Sequence, residues 1–102
     1  MHYNLALIGF GNVARALARL LVRKQDLLKS KHNVTFSFTG ISTGRHGHAV
    51  DPNGLDIKQA LELVESGKSI SSLSTFKVND SLAVIKNSSA NFMFENSPVN
   101  TQ

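Results

Sequence analysis

The sequence predicts an α/β protein built on a partial parallel sheet of about three main strands with flanking helices. Three observations carry this. A run at residues 3–8, apolar but for Asn4, is closed by Gly9, helical periodicity begins directly after a glycine-containing turn, and a β-branched and aromatic run follows at 34–42. Strand, helix and strand within about 40 residues make a βαβ unit, whose crossover is expected to be right-handed.

Apart from Asn4 the first run is apolar rather than alternating, as expected of a strand covered on both faces of a parallel sheet. From Asn12 to about residue 31 the period changes. Val13, Ala16 or Leu17, Leu20, Leu21 and Leu28 are spaced to line one helix face, and Arg15, Arg19 and Arg23 follow at i, i+4 on another. Asn12 is expected to cap this helix, and Lys29 and Lys31 fall where the helix dipole favours cations. Residues 34–42 form the second strand. The stretch 43–54, with three Gly, one Pro and two His, is expected to be loop. A second helix spans 56–66, capped by Asp56, with Ile57, Ala60, Leu61 and Val64 inward and Gly67 at its end. Residues 69–79 are polar and irregular. A short helix over 81–87, capped by Asp80, precedes a third strand over 90–95.

Length and composition narrow the function. A chain of 102 residues is at most one domain, and 41% apolar with 18% charged residues is ordinary globular composition. The eleven Lys and Arg against seven Asp and Glu give a formal charge of +4 but are scattered rather than massed, with one Tyr and no Trp to stack on bases, so nucleic-acid binding is not expected. Without cysteine there is no disulfide framework and no thiolate nucleophile. No segment approaches the length of a membrane span, and no signal-peptide pattern opens the chain, so a soluble, cytoplasmic protein is expected.

The chemistry sits in the turn Gly9-Phe10-Gly11-Asn12-Val13-Ala14. A helix N-terminus presents unpaired N–H groups and a partial positive charge, and glycine lets a phosphate approach the backbone. Gly9 permits the tight turn, Gly11 the close approach and Ala14 the close packing of helix on strand, matching the G-x-G-x-x-G/A fingerprint of a Rossmann-type dinucleotide site. The rival reading is a tight turn with no ligand. In NAD-specific folds of this type an acidic residue ends the second strand. Here the strand runs into Ser42-Thr43-Gly44-Arg45-His46, and Asp26 falls inside the helix. Hydroxyls and a cation suit a 2′-phosphate, so Arg45 is read as its clamp, with Ser42 and Thr43 beside it, and NADP is preferred with NAD as the alternative. Against this stands Arg45 as a solvated loop cation. His46 and His48 lack further ligands for a metal and are read as exposed loop residues, His46 being a secondary phosphate candidate. The arginine stripe and the pair Glu62 and Glu65 read as solvated surface.

Four stretches in order, Leu7-Ile8-Gly9-Phe10-Gly11-Asn12-Val13, Gly40-Ile41-Ser42-Thr43-Gly44-Arg45-His46-Gly47, Ala60-Leu61-Glu62-Leu63-Val64-Glu65-Ser66-Gly67 and Phe94-Glu95-Asn96-Ser97-Pro98-Val99-Asn100, resemble the N-terminal cofactor domain of homoserine dehydrogenase. The resemblance implies NAD(P)-dependent hydride transfer between L-homoserine and L-aspartate 4-semialdehyde, in threonine and methionine biosynthesis. It also implies that Phe10, Gly11, Asn12 and Val13 contact the pyrophosphate, Arg45 the 2′-phosphate, and Ser97 and Pro98 the nicotinamide ribose. Residues 1–102 then correspond to the N-terminal portion of the dinucleotide-binding domain. The family's substrate and dimerisation region, with its catalytic lysine and aspartate, is expected to be absent and the fragment non-catalytic. The alternatives are a stand-alone NADP(H)-sensing module and the N-terminal half of another amino-acid dehydrogenase. Uncovered sheet edges lead to an expectation of homo-oligomer formation or self-association.

Overall fold

The computed structural model describes residues 1–75 and 77–95. Their order is β1 (His2–Ile8), α1 (Asn12–His32), β2 (Thr35–Ser42), β3 (His48–Val50), α2 (Ile57–Glu65), a 3₁₀ turn (Ser71–Leu73), α3 (Ser81–Asn87) and β4 (Phe92–Glu95). The sheet runs β3-β2-β1-β4. β1 pairs in parallel with β2 and β4, and β3 pairs antiparallel with β2. The α/β architecture, the βαβ start and a mostly parallel sheet are as the sequence predicts.

The central position of β1 explains the uninterrupted apolar and buried run Leu5-Ala6-Leu7-Ile8 at its end. Leu5 and Leu7 join a core with Ala14 and Ala18 of α1 and with Ile57, Ala60, Leu61 and Val64 of α2. Ile8 faces the opposite side, with Val50 and Val84 of α3. On that second side Gly40 is required by packing, because a Cβ there would lie 2.9 Å from both Val84 Cγ1 and Ser88 Cβ. The register of β1 against β2 slips between Leu5 and Ala6, leaving Thr39 as the extra residue of a bulge, buried with its hydroxyl donating to the Leu5 carbonyl at 3.4 Å.

Three expectations need correction. The stretch 43–54 is not all loop: β2 turns back through 43–47 into β3, and Thr43 N–H donates to the Gly47 carbonyl at 3.1 Å across the hairpin, where Gly47 adopts φ +84°. The buried face of α1 consists of Ala14 and Ala18, with Leu17, Leu21 and Val22 beside them. Val13 and Leu20 point away, 70% and 41% exposed. Two alanines one turn apart bring the helix close to the sheet, a fit that larger side chains cannot make. Asn12 is the first residue of α1 rather than its cap, which is Gly11.

Among the described residues, no helix is long and apolar enough to cross a membrane, and no group of three or more His, Asp or Glu residues is placed to hold a metal ion.

Candidate functional site

The chain leaves β1 through Gly9, whose φ of +94° is open to glycine and costly for other residues. Its N–H donates to the Ser42 carbonyl at 2.8 Å, so the turn is tied to the end of β2. Phe10 turns into the core. Gly11 then caps α1 with φ −80°, a conformation any residue can adopt. Conformation therefore does not explain this glycine. Packing within the chain does not explain it either: a Cβ on Gly11 would meet no protein atom within 4 Å, because the position opens onto a cleft of about 550 Å³. The cleft is walled by Gly9 to Gly11 and Arg15 on one side, by Ser42 to His46 on another, and by Val64, Glu65 and Ser81.

The N-terminus of α1 receives no side-chain cap and has no acidic residue in its first turn. Its leading N–H groups, with the positive end of the helix dipole, are therefore left for whatever enters the cleft. A dinucleotide pyrophosphate fits such a terminus, since the glycine beside it offers no side chain in the way. Asn12 and Val13 do not line the cleft, and Val13 is 70% exposed.

At the other wall, sequence and structure diverge on detail. Ser42 is buried, and its hydroxyl is shared with His48 Nδ1 at 2.8 Å and Ser81 Oγ at 2.7 Å. Thr43 is buried too, its hydroxyl donating to the Gly47 carbonyl at 2.7 Å while accepting from the His46 N–H at 2.6 Å. Both line the cleft, yet their hydroxyls are engaged in folding the hairpin rather than free to donate to a ligand. What they build is a rigid loop with Arg45 exposed at its tip and, among the described residues, in no ion pair. Neither His46 nor His48 is the exposed loop residue expected: both are half-buried, and His48 belongs to β3. Ser97 and Pro98 lie outside the described residues, but the strand before them, β4, flanks β1 at the same end as the cleft, with Ile8 opposite Glu95.

Two of the charged residues that read as solvated surface in the sequence, Arg15 and Glu65, line this cleft. Glu65 of α2 reaches across to α1, where Arg19 Nη2 donates to its Oε1 and Arg15 Nη1 approaches its Oε2 at 3.4 Å. The Arg19 hydrogen bond, opposed by desolvation and helped by the charges of Arg19 and Arg15, holds the Glu65 carboxyl below its ordinary 4.5. The i, i+4 spacing of the arginines is visible in the sequence, but their acceptor stands about 50 residues away, which no local signal reveals.

Comparison with known proteins finds two relatives. A homoserine dehydrogenase of Methanocaldococcus jannaschii is 31% identical over 100 residues, covering 97% of this chain and 29% of that protein. The chain is related to the homoserine dehydrogenases. A second relative, the NAD(+)-dependent homoserine dehydrogenase of Pseudomonas canavaninivorans, is 34% identical over 95 residues, 91% of this chain and 27% of its own length. The chain thus spans less than a third of the length of the homoserine dehydrogenases it matches. No family model and no solved structure matches it.

Proposed function

We propose that this chain is the cofactor-binding part of a homoserine dehydrogenase, holding a nicotinamide dinucleotide in the cleft above Gly9 to Val13. The observation that carries the proposal is the uncapped N-terminus of α1 opening onto the cleft at Gly11, where a side chain would meet nothing but ligand space. In this reading backbone N–H groups of the turn and first helical residues bind the pyrophosphate. Arg45, at the tip of the loop that Ser42 and Thr43 shape, meets a 2′-phosphate, and no carboxylate occupies the end of β2 to repel one. NADP(H) is therefore the preferred cofactor. Ser97 and Pro98, following β4, belong beside the nicotinamide ribose.

The bound cofactor supplies hydride transfer, which in the whole enzyme interconverts L-homoserine and L-aspartate 4-semialdehyde on the way to threonine and methionine. The residues lining this cleft bind and orient the cofactor. The reading also includes a cytoplasmic setting and self-association through the outer edge of β4, where Phe92 and Met93 are 53% and 51% exposed.

Calorimetric titration with NADPH and NADH tests the cofactor assignment. NADPH is expected to bind more tightly, and Arg45→Ala to weaken NADPH about tenfold or more while leaving NADH unchanged, the loss of a charged hydrogen bond being worth roughly 1.5–3 kcal/mol. Equal binding of the two cofactors, or indifference of NADPH to Arg45→Ala, removes the 2′-phosphate clamp. Absence of binding by either removes the dinucleotide site.

A further inference from the structure

The cleft carries a second cation, placed differently from Arg45. Arg15 is one turn into α1, and its side chain is only 20% exposed. It folds back over its own helix terminus: Nε donates to the Gly11 carbonyl at 3.3 Å and Nη2 to Asn12 Oδ1 at 2.6 Å, while Nη1 approaches Glu65 Oε2 at 3.4 Å. A guanidinium has five N–H donors. These contacts engage three of them and leave two.

The charge balance of the cluster is uneven. Glu65 is bound chiefly by Arg19, whose side chain is half exposed on the far side of the carboxylate. Arg19 and Glu65 therefore cancel, and the cluster keeps one net positive charge, on Arg15, at the edge of the glycine turn. The helix terminus, the open face of Gly11 and this charge converge on one place. Arg45 lines the same cleft from the loop between β2 and β3, so the cleft has two arginines where a phosphorylated dinucleotide has two phosphate centres, the pyrophosphate and the 2′-phosphate.

We propose that Arg15 is a phosphate-binding residue of this cleft, contacting the pyrophosphate common to NADH and NADPH, and that Glu65, fixed by Arg19, is the residue that positions it. The inference rests on the dinucleotide reading above. The two arginines then have different roles, Arg15 serving every dinucleotide and Arg45 only the one with the extra phosphate. The salt bridge between α1 and α2 also gains a purpose beyond packing, because a long arginine side chain held in place loses less freedom when the phosphate arrives.

The experiment titrates the 102-residue chain and its variants with NADH and with NADPH at two salt concentrations, alongside thermal unfolding of each variant. Arg15→Ala is expected to weaken both cofactors by the same factor, about tenfold to a hundredfold, and to flatten the salt dependence of binding. Arg15→Lys should recover part of the loss, and Glu65→Gln should weaken both cofactors about threefold, by loosening Arg15 rather than removing it. Should Arg15→Ala fail to unfold cooperatively, Arg15→Gln keeps the stem and two donors without the charge and takes its place. Wild-type binding that Arg15 variants leave unchanged, or that they weaken for NADPH alone, overturns the assignment of Arg15 while the dinucleotide site stands. Unchanged or tighter binding by Glu65→Gln overturns the positioning role, since it would mean that Glu65 competes with phosphate for Arg15. No binding of either cofactor by the wild-type chain overturns the dinucleotide reading and this inference with it.

Discussion

The N-termini of α2 and α3 differ from that of α1 in how their N–H groups are satisfied. Asp56 accepts from Gln59 N–H at 3.1 Å and Asp80 from Ala83 N–H at 2.8 Å, so each of the two shorter helices carries its own anion. α1, with 21 residues, has glycine at the same position and no side-chain cap. A capping carboxylate stabilises a helix and also blocks its terminus to any other anion. The contrast indicates that local stability has been left aside at α1, where the terminus opens onto the cleft, and taken at α2 and α3, where Asp56 and Asp80 face solvent.

Converting the α1 terminus to the type of α2 and α3 is the most direct way to break this comparison, and Gly11→Asp does it. The backbone at Gly11 accepts a side chain and nothing crowds a Cβ, so the variant should fold and gain a few tenths of a kcal/mol (about the difference between Gly and Asp caps). Its affinity for NADPH and NADH should fall about a hundredfold or more, because the new carboxylate takes the N–H groups and repels the pyrophosphate. A variant that binds as well as wild type would show that the terminus is not a phosphate site. The reciprocal change, Asp56→Ala, should cost about 1 kcal/mol, seen as a melting temperature lower by roughly 4–8 °C, with dinucleotide affinity unaltered. A loss of affinity there would mean that the two kinds of terminus are not independent.

The smallest effect expected lies in the bridge joining α1 to α2. The Glu65 carboxyl is held below 4.5 in the folded chain, so it binds a proton less readily folded than unfolded. Its contribution to stability is therefore fully present above about pH 4.5 and is lost as the pH falls through the folded value. In urea titrations between about pH 6 and about pH 3, Glu65→Gln should flatten the acid limb slightly relative to wild type. High salt should diminish the difference, since the pair is largely exposed. Identical acid limbs would show that the bridge contributes no stability of its own.

Much of the fold is legible because the signals are local. Asp56 and Asp80 stand immediately before short amphipathic segments and cap them as expected, and the hydrophobicity of residues 3–8, broken only at Asn4, places them in a central strand. The hairpin between β2 and β3 escapes a reading of the sequence although its spacing is present: residues 43–47 contain two glycines and lead into Ala49-Val50, but so short a strand carries too few residues to show alternation. The hydroxyls of Ser42 and Thr43 look like ligand contacts in the sequence because their protein partners, His48, Ser81 and Gly47, come into reach only when the hairpin and α3 are in place.

The sequence by itself determined the strand, turn and helix that make the glycine site, because the φ of Gly9, the missing side chain at Gly11 and the small Ala14 are properties of single residues in one short stretch. It could not choose the buried face of α1, whose first three turns are apolar on nearly every side; the close approach of Ala14 and Ala18 to the sheet decided that. Nor could it bring Arg15 to the cleft, since the contact that holds it there spans 50 residues and exists only after α1 and α2 pack on the same side of β1.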